Sequence, residues 1–164
     1  MRTSSRPARA IAGVLAASLA LISVVGPVAA GSPQQVEIVS HMNFNPDGPN
    51  FGDFSASGSA VDSGLVCASG SVVDTGIVFG GFQSGSSAQI LVRKTFTCGD
   101  GSGSFFVKIQ VHLDFETSTE VFTWAVMGGT GDYENLRGSG DGSTLSDGSD
   151  PQTGNFNTYV GGLH

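Results

Sequence analysis

The side chains that could do chemistry here are few, and Lys94 comes first. Ile90, Val92, Lys94 and Phe96 share one phase of an alternating run, so a lysine stands among apolar neighbours. A buried lysine has its charged form disfavoured, and it can orient a carboxylate or polarise a carbonyl. Bulges are common in barrels, and one in this run would let Arg93 and Lys94 both reach solvent, which is the arrangement favoured from sequence. His41 and His112 fall on the polar phase of their runs and His164 ends the chain, so all three are expected at the surface. Asp114, Glu116 and Glu120 cluster around a hairpin tip, where they read as solvated and not as carboxylates paired across a glycosidase cleft. Serine is abundant and no Ser/His/Asp arrangement stands out. Asp141-Gly142-Ser143 and Asp147-Gly148-Ser149-Asp150 crowd turn formers, but without the terminal Glu of an EF-hand or a recurring nonapeptide they read as a solvated hairpin loop. Neither a metal nor a cofactor is expected.

Cys67 and Cys98 are the only cysteines. Residues 1–30 have the make-up of an export signal: Arg2, Arg6 and Arg9, an apolar run over 11–25, and Val28-Ala29-Ala30 before Gly31. Two cysteines in an exported chain are most simply a disulfide, and this one closes a loop of about 30 residues that stabilises by roughly 3 to 4 kcal/mol in the chain-entropy model. Residues 31–164 then form a single domain, secreted and unanchored. They carry four basic side chains against fourteen acidic ones, a formal charge of −10. Nucleic-acid affinity depends on neutralising phosphates with Lys and Arg, so this balance argues against nucleic acid and against an anionic membrane surface as partners.

The elements that must position these residues read as strands. Beyond residue 30 no segment repeats apolar residues at helical spacing, and turn formers recur about every ten residues. Eight runs alternate with period two: 36–44, 51–61, 71–80, 88–98, 104–116, 120–127, 138–145 and 155–160. In the fifth, Val107, Ile109, Val111, Leu113 and Phe115 take one face, and Lys108, Gln110, His112, Asp114 and Glu116 the other. Short links at 100–103 and 117–119 make sequential hairpins. The expected fold is therefore all-β, a closed eight-stranded antiparallel barrel of calycin-like appearance, since closure removes exposed edges.

The most specific motif is GGTGDYENLRGSG, residues 128–140, directly after Ala125-Val126-Met127. It lacks the spacing of a phosphate-binding loop. Gly128, Gly129 and Gly131 permit positive φ where the strand leaves the barrel, and Thr130 or Asp132 can cap one helical turn through Leu136. Tyr133 and Leu136 would plug the barrel end, and Arg137 would pair with a nearby acid before the strand that starts at Gly138. An apolar strand end, then GGTG, an aromatic residue and RG resembles the corner shared by allene oxide cyclases and dirigent proteins. The segment Phe96-Thr97-Cys98-Gly99-Asp100-Gly101-Ser102-Gly103-Ser104-Phe105 is similar to a hairpin in uncharacterised exported bacterial members of that superfamily. The resemblance implies an antiparallel barrel, often trimeric in plant members, whose lumen holds an apolar small molecule and steers its cyclisation or coupling without a cofactor, as a cyclase or isomerase. It supplies no transferable catalytic residue.

Taking the apolar phases inward, the residues expected to meet a ligand are Met42, Phe44, Phe54, Lys94, Phe96, Leu113 and Phe115. Ala56, Gly58 and Ala60 on the second run either leave a void or let a tight barrel bend. Trp124 alternates with Phe122 and Val126 in a run that is apolar on both faces. An outer aromatic patch of that kind suggests either a subunit interface, as in a dimer or trimer, or cover by a chain terminus. The expected function is a secreted barrel that binds a small apolar molecule and guides its cyclisation by shape. The alternative is a non-catalytic exported structural or interaction module with a filled barrel. A lectin would need exposed aromatics beside acids, at which only Tyr133 with Asp132 and Glu134 hints.

Overall fold

The computed structural model describes residues 32–83, 85–150 and 152–164, with the side chains of Phe82 and Gln83 left out. The export signal read at 1–30 lies outside these residues. Eight strands follow one another: β1 (Gln34–Asn43), β2 (Phe51–Ser57), β3 (Ser69–Gln83), β4 (Ser87–Cys98), β5 (Gly103–Asp114), β6 (Thr119–Gly131), β7 (Gly138–Ser146) and β8 (Gly154–Leu163). Each pairs antiparallel with its sequence neighbour, and β1 pairs with β8 to close the barrel. Alternation does the work expected of it: Val107, Ile109 and Val111 are buried while Lys108, Gln110 and His112 are exposed.

One run differs. The second was expected to continue to residue 61, because Ala56, Gly58 and Ala60 keep the alternation. Instead β2 stops at Ser57, Gly58 takes φ 106°, and a single turn of helix, α1 (Ser59–Asp62), follows. Only glycine tolerates that φ without strain. Ala60 is buried within this turn, not in a strand, so of the three small residues only Ala56 lies in the barrel wall.

The two ends of the barrel are unlike. At one end the 58–68 connection, the 99–102 hairpin and the 132–137 turn close it. The Cys67–Cys98 disulfide ties the first of these to the end of β4, with Cα atoms 5.9 Å apart. Tyr133 and Leu136 are buried in the core there, and the Tyr133 hydroxyl lies 2.7 Å from Ser102 Oγ and 3.3 Å from Cys98 Sγ. The GGTG corner is part of this closure. Gly128 (φ 109°) and Gly131 (φ 61°) take the expected positive φ, whereas a Cβ on Gly129 would stand 2.8 Å from that of Tyr133. Thr130 Oγ1 accepts from the Ser104 amide at 3.2 Å. The expected helical turn is replaced by successive tight turns, Tyr133 N to Thr130 O and Leu136 N to Tyr133 O. Among the described residues Arg137 pairs with no acid; its Nη1 donates to the carbonyls of Leu136 (2.7 Å) and Glu134 (3.4 Å), while its main chain pairs both ways with His164.

Above this closure the lumen is filled by rings. Phe96 and Phe105 stack at 4.9 Å, and Phe54 and Tyr159 meet Phe96 edge-on. Trp124 is buried beside Tyr159 and donates to the Asp141 carbonyl. The outer aromatic patch expected from Trp124 is therefore absent, since Phe122, Trp124 and Val126 share the inner phase; the outer phase shows Val121 and Met127. Apart from Thr144 the inner face of β7 is glycine: a Cβ on Gly142 would overlap the Phe122 ring, and one on Gly138 would stand 2.6 Å from Leu163. The Gly-Ser-Asp stretch is thus a strand as far as Ser146, and the loop begins only at Asp147.

Candidate functional site

The opposite end stays open. A cavity of about 380 Å³ occupies this half of the lumen, with Met42, Ile90, Val92, Ile109, Val111 and Phe122 as its apolar wall. Ligand pockets usually combine such a wall with a few placed polar groups, and two sets of polar groups enter this one.

The first set sits beside a β-bulge. Asp74 on β3 lies opposite Lys94 on β4, and the register then shifts so that Gly76 faces Arg93, leaving Thr75 as the extra residue. The bulge falls on β3, not on β4, so β4 keeps its phase with Arg93 outside and Lys94 inside. This corrects the expectation that both reach solvent. Lys94 Nζ stands 2.6 Å from Asp74 Oδ1, each side chain 7% exposed. The second Asp74 oxygen accepts from Asn50 Nδ2 at 3.1 Å. Burying two charges is costly unless geometry and hydrogen bonds compensate, and here both carboxylate oxygens have donors. Beyond the bulge, Ile77 and Phe79 come round to the cavity rim.

The second set lies across the cavity on β6, β7 and β8. Glu120 begins the inner phase that continues as Phe122 and Trp124. Thr144 Oγ1 is 2.9 Å from Glu120 Oε1 and 2.9 Å from Asn157 Oδ1, and Asn157 Nδ2 donates to Asn155 Oδ1 at 3.1 Å. A hydroxyl has one proton to give, so Thr144 serves one of its two acceptors at a time. Between the cavity and the ring stack, the Tyr159 hydroxyl faces Ser40, yet neither buried hydroxyl has a partner in hydrogen-bonding geometry. Burial pushes the Tyr159 hydroxyl well above its ordinary pKa, and the nearby Asp74 and Glu120 charges add to this.

Of the residues expected to meet a ligand, Met42, Phe44 and Lys94 line the cavity, Phe44 at its mouth and 41% exposed. Phe54 and Phe96 belong to the ring stack and are not brought to it. Leu113 and Phe115 line a neighbouring hollow at the mouth that shares Phe44, Glu120 and Thr144, and Phe115 is 46% exposed. Sequence reasoning missed Asp74, Asn50, Glu120, Thr144, Asn155 and Asn157. For Glu120 the signal was available, since counting back by twos from Trp124 through Phe122 places it inside; for Asp74 the same count from Val72 works.

Around the mouth, the loops at 44–50, 115–118 and 147–150 carry Asp47, Glu116, Asp147 and Asp150 and no Lys or Arg. Hydrogen bonds from Ser149 hold Asp147 below the usual carboxylate pKa, with His41, 3.8 Å away, contributing. Asp114 is likewise lowered, first by the backbone amide of Thr117. Compared with protein-family models, curated proteins and solved structures, the chain matches none.

Proposed function

We propose that this protein is an exported small-molecule carrier or cyclase of the allene oxide cyclase and dirigent kind, holding an apolar molecule in the open half of its lumen. The observation that supports this best is the division of the barrel: one half is packed with rings, while the other keeps a 380 Å³ cavity with an apolar wall and the buried Lys94–Asp74 pair inside it. A barrel with a purely structural role has no need to keep charged and amide groups around an apolar hollow, because polar groups buried there cost stability unless paired. The GGTG corner adds to this reading only as architecture, since it lies at the closed end and a shared fold does not carry chemistry. Any cyclisation would be guided by shape: the walls hold the substrate near its reactive conformer, and no group in the cavity needs to act as a nucleophile.

Native mass spectrometry of the protein, purified gently from the cells that export it, tests this. The expected spectrum shows an N-terminus at Gly31, a mass two daltons below that of the dithiol form, and a non-covalently bound small molecule. The same spectrum gives the subunit count, where a dimer or trimer is proposed. A protein that emerges empty and takes up no apolar probe would return the alternative, a structural or interaction module.

A further inference from the structure

Resting on the lumen-binding reading, we infer that the molecule it takes is an amphiphilic amine, its apolar body against the Val92–Ile109 wall and its ammonium group at Glu120 beside Thr144 and Asn157.

Of the three charged side chains that line the cavity, two are paired with each other. Lys94 is held by Asp74 at 2.6 Å, and the other Asp74 oxygen is held by Asn50. An anionic ligand would find no free cation there and would have to break a buried pair. Glu120 differs: among the described residues no lysine, arginine or histidine pairs with it, and it lines the same cavity. Its surroundings are short of donors. The single proton of Thr144 is shared between Glu120 Oε1 and Asn157 Oδ1, so one acceptor goes without, although Asn157 is only 5% exposed. Turning the Asn157 amide over would let it donate to Thr144, but Asn155 Oδ1 would then lose its donor. An ammonium brings three donors and a positive charge, which is what this group of oxygens lacks.

The field of the open end points the same way. With Asp74 answered by Lys94, Glu120 leaves the cavity wall with a net negative charge and so a negative potential. The acids of the mouth loops extend that potential outward, and such a cleft draws in cations. Phe44 and Phe122 also line the hollow, and aromatic faces favour a cation over an anion.

Three probes with one apolar body separate the possibilities: n-octylamine, n-octanol and octanoate, titrated calorimetrically at pH 7 into the full exported protein and into Glu120→Gln. The expected order is octylamine about tenfold tighter than octanol, with octanoate weakest. Glu120→Gln keeps a hydrogen-bond acceptor for Thr144 and removes the charge, so the ratio of amine to octanol affinity falls to within about twofold. A cooperative thermal melt shows that the variant is folded. Octanoate binding as well as octylamine, or an amine preference that survives in the variant, overturns the inference while leaving a lumen-binding barrel. If none of the three binds, the inference and the reading beneath it fall together.

Discussion

Lys94 and Asp74 illustrate how a single pair can decide the use of a lumen. Removing one partner leaves a bare charge in an apolar wall, so Asp74→Ala is expected to cost about 3 to 5 kcal/mol in urea unfolding. Adding Lys94→Met to Asp74→Leu should recover most of that, because replacing a whole buried pair by apolar groups is often neutral. Additive losses in the double variant would mean the two charges act independently. Tyr159 makes a pH prediction. Its folded pKa is raised above the ordinary 10.0, so above about pH 10 the unfolded chain releases a proton that the folded chain keeps, and stability falls as pH rises. Tyr159→Phe should flatten that alkaline slope and leave stability at pH 7 within about 1 kcal/mol, since the lost hydroxyl had no partner. An unchanged slope would place the alkaline transition elsewhere. At this scale the sequence was partly legible: Lys94 and Asp74 each fall in the inner phase when counted by twos along their own strands, but their pairing did not show, because alternation does not tell which residues of neighbouring strands face each other.

For the elements, period two was enough. All eight strands lie where alternating runs and turn residues indicate, because a half-buried strand must show one face to water and one to the core. The failure at α1 has a specific cause: Gly58 and Ala60 are neutral in a pattern read by hydrophobicity, and only the positive φ at Gly58 ends the strand. β7 was legible as a strand but not in its purpose. Its inner glycines look like low complexity until the Phe122 ring is found in the space a Cβ at Gly142 would take. Gly142→Val should therefore lower stability by roughly 1 to 3 kcal/mol or more, as overpacking does. Ser143→Val, one residue along and exposed, should change it by no more than about 0.5 kcal/mol. Equal effects of the two would mean the rings do not set the shape of this wall.

Over the whole molecule, the barrel divides its lumen between stability and use. The disulfide, the GGTG corner and the ring stack gather at one end and leave the other free of packing demands. None of this division could be read from alternation, which tells inside from outside but not which inner residues meet each other across the barrel. Phe54 and Phe96 share a phase with Met42 and Lys94, yet Phe96 stacks on Phe105, Phe54 meets both rings edge-on, and the two are lost to the site. Outward-facing apolar residues such as Val78 and Met127 also mean that uptake of a greasy probe is not by itself proof of a lumen site. The most direct measurement is therefore titration of a neutral apolar fluorophore, N-phenyl-1-naphthylamine, into the wild type and into Val92→Phe, which fills the cavity from its wall and leaves the outer surface untouched. The expected result is one saturable site in the wild type and its loss in Val92→Phe, with both proteins melting cooperatively. Uptake that is equal in the two, or absent from both, would contradict it.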